Sequence, residues 1–102
     1  MELTFKHEAN HIYAEDDAGQ LLAEITFPLA SDTTVNIAGT FVDPSLRGQG
    51  IGDALLRAAI ADIQSRNFTV ILTCPFAKSW FSRHPEFGHM LDTAADTSHV
   101  HS

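Results

Sequence analysis

Residues 41–56 read FVDPSLRGQGIGDALL, and the fold turns on how this stretch is divided. Phe41 and Val42 end a β-prone run. Asp43-Pro44 stops it, because proline has no N–H to give a ladder. Beyond the glycines of Arg47–Gly52 the apolar period changes. Gly52, Leu55, Leu56, Ala59, Ile60 and Ile63 recur at steps of three and four, which predicts an amphipathic helix running to about Asn67. A glycine-rich turn therefore joins a strand to a helix.

Upstream, the chain reads as strands. LTF and HIYAE are short β-prone pieces, and residues 15–20 (EDDAGQ) form a turn. LLAEITF places Ala23, Ile25 and Phe27 on one face, and Leu22, Glu24 and Thr26 on the other. TTVNIAGTFV reads as one further strand, with Val35, Ile37 and Phe41 in a row that Gly39 interrupts. The short connections predict an antiparallel meander of these four strands. Downstream, FTVILT is a continuous apolar run, suited to a strand covered on both faces. Cys74-Pro75 ends it, FAKSWFSRH forms a short helix, and residues 88–102 read as a fraying tail. The order β-β-β-β-α-β-α makes an α/β (α+β) domain over residues 1–87. Its sheet is mixed and mostly antiparallel, of about five strands, with one long helix after the glycines and a short C-terminal helix.

The chain has 102 residues and a formal charge of -7 with only 6 Lys and Arg, which argues against nucleic acid and anionic membranes as partners. Cys74 is the single cysteine, so no intramolecular disulfide forms. The N-terminus lacks the basic start and apolar core of a signal peptide, and no apolar run approaches the ~20 residues of a membrane span. The expectation is a cytoplasmic protein. His89, His99 and His101 have no metal-ligand spacing, so no metal site is expected.

Three readings of the glycines can be compared. A P-loop needs a lysine that is absent. A dinucleotide fingerprint counted from Gly48 meets Asp53 at its last position and fails. Arg-x-x-Gly-x-Gly, filled by Arg47, Gly50 and Gly52, does match. Such a turn bares the unpaired amides and positive pole of a helix start, which suit a phosphate. Taken alone, such a turn is more often a tight turn with close backbone packing than a ligand site.

TFVDPSLRGQGIGDALL resembles the central motif of the GNAT superfamily, the GCN5-related acyl-CoA-dependent N-acyltransferases. With LTCPFAKSWF and HPEF, residues 37–87 are similar to its very small single-domain bacterial members, the YjdJ-like group. The resemblance implies a minimal GNAT-like fold and an N-acetyltransferase. Its donor would be acetyl-CoA, with coenzyme A released, and its acceptor an unidentified amine, small molecule or protein. It implies that Arg47, Gly48, Gln49, Gly50, Ile51 and Gly52 hold the CoA pyrophosphate, and that the backbone of Phe41 and Val42 pairs with the pantetheine arm. Leu72, Thr73 and Cys74 would flank the thioester; Phe76, which with Trp80 and Phe81 reads as the apolar face of the last helix, could also touch the pantetheine, and Lys78 could reach a phosphate, against a solvated lysine. Cys74, at a strand end, could protonate the leaving thiolate or carry the acyl group; its alternative is a buried structural thiol. Glu24 and His84 are the candidate general bases, against a solvated strand carboxylate and a helix-end cap.

Two departures stand out. Nothing before residue 48 reads as a helix, whereas larger relatives wall their acceptor site with two. The amine side should be open, or completed by a homodimer. Members of the small group often carry histidine before the threonine matching Thr40; here the residue is Gly39.

Overall fold

The computed structural model describes residues 3–92. Six strands, two α-helices and two 3-10 turns follow in chain order: β1 (Lys6–Glu8), β2 (His11–Glu15), β3 (Leu21–Thr26), β4 (Thr34–Ile37), β5 (Gly39–Val42), a 3-10 turn (Pro44–Leu46), α1 (Ile51–Ser65), β6 (Thr69–Leu72), α2 (Pro75–Ser82) and a second 3-10 turn (Pro85–Met90). This is the expected α+β arrangement, with one difference that shapes the site.

TTVNIAGTFV is not one strand. It breaks at Ala38 into β4 and β5, which join different sheets. β1-β2-β3-β5 form an antiparallel sheet, while β4 pairs in parallel with β6. The cause is a bulge. Thr26 is the register partner of Gly39, yet its carbonyl accepts from the Ala38 N–H at 3.0 Å, so two residues oppose one. One extra residue flips every later side chain to the other face. Val35 and Ile37 point into the core and are fully buried, whereas Phe41 stands on the outer face, 37% exposed.

The helix follows its sequence pattern. Leu55, Leu56, Ala59, Ile60 and Ile63 are the buried residues of α1. They pack against Ile12, Ala23, Ile25 and Phe27 from the inner face of the larger sheet. α1 ends two residues early because Asn67 adopts φ 58. Phe68 N–H donates to Ile63 O at 3.1 Å and Asn67 N–H to Gln64 O at 3.0 Å. These two bonds close a Schellman motif around a left-handed residue.

β6 is less covered than expected: of Thr69–Leu72 only Val70 is buried. It borders β4 on one side and meets only Leu91 and Asp92 on the other. That contact also corrects the expected tail. Residues 88–92 are not frayed, since Met90 is buried and Asp92 N–H donates to Val70 O at 2.8 Å. Thr34, the one buried polar residue among those described, hydrogen-bonds Thr69 Oγ1 at 2.9 Å and donates to Asp92 Oδ2 at 3.0 Å. Residues 93–102, including His99 and His101, lie outside the described residues. Among those described, no helix is long and apolar enough to cross a membrane.

Candidate active site

The break at Ala38 opens a wedge. β4 and β6 stay paired up to Ile37 and Leu72. There the Ile37 carbonyl accepts from both Thr73 N–H (3.2 Å) and Cys74 N–H (3.1 Å), and the two chains part. β5 then follows β3 alone. Asp43 N–H donates to Leu22 O at 2.8 Å, so the 43–22 and 41–24 positions are the hydrogen-bonded pairs of this ladder. The N–H and C=O groups of Thr40 and Val42 therefore face the wedge, along a strand edge with no neighbouring strand. The Arg47 Nε–H bond to Val42 O, at 3.3 Å, agrees with that direction.

The wedge deepens into a cleft of about 450 Å³ between β5, the start of α1 and α2. Thr40 and Val42 line one wall, Leu46–Gly48 and Gly50–Asp53 the second, and Phe76, Trp80, Arg83 and His84 the third. Gly50 is the N-cap of α1 and supplies no side-chain cap. The first return bond of the helix runs from Ala54 N–H to Gly50 O at 3.0 Å. The amides of Ile51, Gly52 and Asp53 are thus the orphan donors of the first turn, at the positive pole of the helix.

The three glycines have separate causes. Gly48 (φ +84) and Gly50 (φ +77) occupy the left-handed region that other residues rarely adopt, and a Cβ on either would meet nothing within 4 Å. There the backbone demands glycine, and the space beyond is open. At Gly52 a Cβ would lie 2.9 Å from Phe76 Cζ. That glycine lies in close packing against the Phe76 ring of α2. The turn's glycines thus meet two separate needs: left-handed backbone at Gly48 and Gly50, and a close approach to Phe76 at Gly52.

Charge inside the cleft is arranged around Trp80, which is 1% exposed. Its indole N–H donates to Asp53 Oδ1 at 2.7 Å, while Arg57 Nε–H donates to Asp53 Oδ2 at 2.9 Å. The indole bond, followed by the Arg57 bond and charge, holds the Asp53 carboxyl below its ordinary value, so it is ionised at neutral pH. His84 stacks on Trp80 at 3.9 Å and 12°. Its Nδ1 lies 2.7 Å from Trp80 O. A carbonyl can only accept, so Nδ1 carries the hydrogen and Nε2 is left free in the neutral ring.

Of the residues singled out by sequence, Val42, Arg47, Gly48, Gly50, Ile51, Gly52, Phe76 and His84 line this cleft. Cys74 is 4% exposed behind it, with Sγ 3.6 Å from Thr40 Oγ1. Gln49 is absent from the lining. The expectation that Phe41 pairs with a ligand is corrected: its amide belongs to the β3 ladder, and Thr40 takes its place on the free edge. Thr73 and Lys78 line a different hollow, beside β6 with Leu91 and Asp92. Thr73 Oγ1 donates to Asn36 Oδ1 at 3.0 Å. Glu24 is on the outer face of the sheet, 2.8 Å from His11 Nε2. Sequence reasoning missed Thr40, Leu46, Asp53, Trp80 and Arg83. The Ala38-Gly39 interruption was the available signal for Thr40. Nothing local marked Asp53 and Trp80 as partners.

A family model described as GCN5-related N-acetyl-transferase matches residues 11–90. The chain belongs to the GCN5-related N-acetyltransferase family. Its fold agrees with a GCN5-like protein from Staphylococcus aureus solved by NMR in solution, with 32% sequence identity, a TM-score of 0.74 and 88% of both chains covered. A GNAT family N-acetyltransferase from Escherichia coli, YhbS, crystallised in complex with CoA, is 25% identical with a TM-score of 0.54, covering 61% of this chain and 38% of that one. Ard1 from Thermoplasma volcanium is 26% identical with a TM-score of 0.54, covering 62% of this chain and 43% of that one. The matched part of the chain thus spans less than half of these larger relatives. Among curated proteins, none matches.

Proposed function

We propose that this GCN5-related N-acetyltransferase family member transfers an acetyl group from acetyl-CoA to an amine. The observation that carries this reading is the continuity of two backbone donor sets. The orphan amides of Ile51–Asp53 lead into the free edge of β5 at Thr40 and Val42, and that edge ends beside Cys74. A pyrophosphate fits the first set, where Gly48 and Gly50 leave open space. An amide-bearing pantetheine arm fits the second as an added strand. The CoA-bound YhbS supports the same ligand class.

Acetyl-CoA would supply the activated thioester, and the protein's own groups do the rest. The Thr40 and Val42 edge offers N–H donors to an oxyanion at no cost in reorganisation. Cys74 sits at the N-cap of α2, with its thiol 3.6 Å from the Thr40 hydroxyl. In this reading its thiol, buried behind the cleft wall, would give a proton to a leaving thiolate or accept the acyl group itself. His84 presents a free Nε2 from the far wall, and Arg47 and Arg83 add positive charge at the rim. The ionised Asp53 opposes an anionic ligand, but its two oxygens are already turned to Trp80 and Arg57.

A second reading, a CoA-binding module with little catalysis, is favoured by one observation. The outer face of the larger sheet carries no described α-helix that could wall an acceptor. Thermal shift with acetyl-CoA separates both readings from neither. A ligand at 100 times its Kd stabilises by about 2.7 kcal/mol. Gly50→Glu should abolish the shift, whereas Gly50→Ala, which only strains the left-handed backbone, should lower the melting temperature and keep it. No shift at millimolar acetyl-CoA would remove both readings. Release of free CoA with a pool of amines then distinguishes enzyme from binder, and a 42 Da adduct (about one acetyl group) lost in Cys74→Ser would mark a covalent route.

A further inference from the structure

The cleft wall formed by α2 runs on past the glycine turn, and its far end carries two side chains with unused hydrogen-bonding groups. Contacts fix the order along that wall. Cys74, at the N-cap of α2, has its thiol 3.6 Å from Thr40 Oγ1. Phe76 lies against Gly52, and the Trp80 indole donates to Asp53 at 2.7 Å. Arg83 caps the end of α2, His84 follows it, and both line the cleft. A ligand followed from Thr40 along α2 therefore meets the β5 edge, then the first-turn amides of α1, then Arg83 and His84.

The chain holds only 6 Lys and Arg against 13 Asp and Glu, yet both Arg47 and Arg83 line this one cleft. They differ in what is left to bind. Arg47 Nε–H is committed to Val42 O at 3.3 Å. The exposed Arg83 guanidinium bonds no other group among the described residues. His84 is held on two sides, stacked on Trp80 at 3.9 Å and donating from Nδ1–H to Trp80 O at 2.7 Å. Its Nε2 is an acceptor in the neutral ring. The nearby Asp53 carboxylate does not compete for Arg83, because its oxygens are turned to Trp80 and Arg57. A guanidinium with all its donors free grips a phosphate through two parallel bonds. A neutral ring nitrogen takes a hydroxyl hydrogen. Adjacent in the chain, the pair suits a phosphate and a hydroxyl on neighbouring carbons.

We propose that Arg83 and His84 are specificity-determining residues for the nucleoside end of the donor. Arg83 binds the 3′-phosphate of coenzyme A, and His84 Nε2 accepts from the adjoining ribose 2′-hydroxyl. The inference rests on the acetyl-CoA reading above. With the pyrophosphate on the amides of Ile51–Asp53, the pantetheine runs back along β5 and the phosphorylated nucleoside runs on to the end of α2. The donor class is thereby narrowed to the free 3′-phosphorylated coenzyme. A phosphopantetheine carried on a protein has neither group.

The test is calorimetric titration of wild type, Arg83→Ala and His84→Phe with CoA and with dephospho-CoA, which differ only in the 3′-phosphate. Wild type should bind CoA about fivefold or more tightly than dephospho-CoA, as expected of a charged pair at a solvated rim. Arg83→Ala should erase that preference by weakening CoA alone, with dephospho-CoA kept within about twofold of wild type. Added salt should narrow the preference in wild type. His84→Phe keeps the stack on Trp80 and should weaken both ligands by a common factor of about threefold to tenfold, because both carry the 2′-hydroxyl. Equal affinity of wild type for the two ligands overturns the proposal. So does a preference that survives Arg83→Ala, or a loss of both ligands together in that variant, which would mark a merely structural arginine. Unchanged affinities in His84→Phe overturn the role of His84. If His84→Phe fails to fold, the Arg83 arm still decides, since that side chain is exposed and bonds no described group. Absence of binding of either ligand to wild type at millimolar concentration would instead sink the acetyl-CoA reading, and this subsite with it.

Discussion

The packing at Gly52 yields a prediction whose size follows from the structure. Gly52 is the second residue of α1, and a Cβ added there would lie 2.9 Å from Phe76 Cζ and 3.3 Å from Cε2. Ordinary carbon contacts are ~3.5–4.0 Å, so the ring must retreat by up to about 1 Å. Overpacking an enclosed core costs about 1–3 kcal/mol, and Phe76, 38% exposed, can yield toward solvent, which sets the cost near the low end at about 1. Against this, replacing glycine by alanine in a helix stabilises by about 0.5–1 kcal/mol. Gly52→Ala alone should therefore move stability by less than about 1 kcal/mol in either direction. In a Phe76→Ala background the clash is gone and the same change should stabilise by about 0.5 kcal/mol or more. The resulting coupling of about 1 kcal/mol is well above the ~0.3–0.5 expected of independent sites. Urea unfolding of the four proteins, followed by the fluorescence of the chain's single tryptophan, measures it directly. An identical effect of Gly52→Ala in both backgrounds would refute the claim that the Phe76 ring, and not the helix start itself, opposes a side chain at this position.

Asp53→Asn keeps an oxygen acceptor for the Trp80 indole but removes the charge. The Asp53 carboxyl is held below its ordinary value, so its stabilisation is present at neutral pH and fades as pH falls below ~3.9 through the folded-state value. The asparagine variant should show a flatter acid limb of stability than wild type in urea titrations at successive pH values. The effect is modest because the Asp53 side chain is 45% exposed. Asn67→Val, forced to φ 58, should lower stability by about 1–2 kcal/mol, while Asn67→Gly should change it by no more than a few tenths, with thermal unfolding as the check.

Much of the fold was legible because its periods are strong. The three- and four-residue recurrence from Leu55 to Ile63 names the buried face of α1 residue for residue. Alternation at Ala23, Ile25 and Phe27 names the inner face of β3. The end of α1 was placed at Asn67 by loss of period, although a left-handed asparagine had already closed the helix behind Ser65. What periodicity could not convey is what lies beside a strand. FTVILT reads as a doubly covered strand by composition, yet Ile71 and Leu72 are only half-buried, because the far side of β6 receives two residues from the C-terminal segment.

The candidate site was half legible for a related reason. Its glycine turn is contiguous in sequence, so Arg47, Gly48, Gly50, Ile51 and Gly52 could be found together. The remaining walls are brought in by long-range packing: Trp80 reaches Asp53 across 27 positions, and Cys74 reaches Thr40 across 34. One residue, Ala38, decides how these parts face one another. Without the bulge, TTVNIAGTFV would continue as a single strand, with Phe41 turned into the core and Thr40 outward, and β5 would stay beside the chain leaving β6. No free edge would exist, and Thr40 and Cys74 would not share a wall. The same inserted residue also turns Phe41 and Gly39 to the outer face, in the two rows that hold Glu24 and His11. Deleting Ala38 should join β4 to β5 in one register and remove acetyl-CoA binding. If acetyl-CoA still raised the melting temperature of the deletion variant as it does in wild type, the bulge could not be what frees the β5 edge.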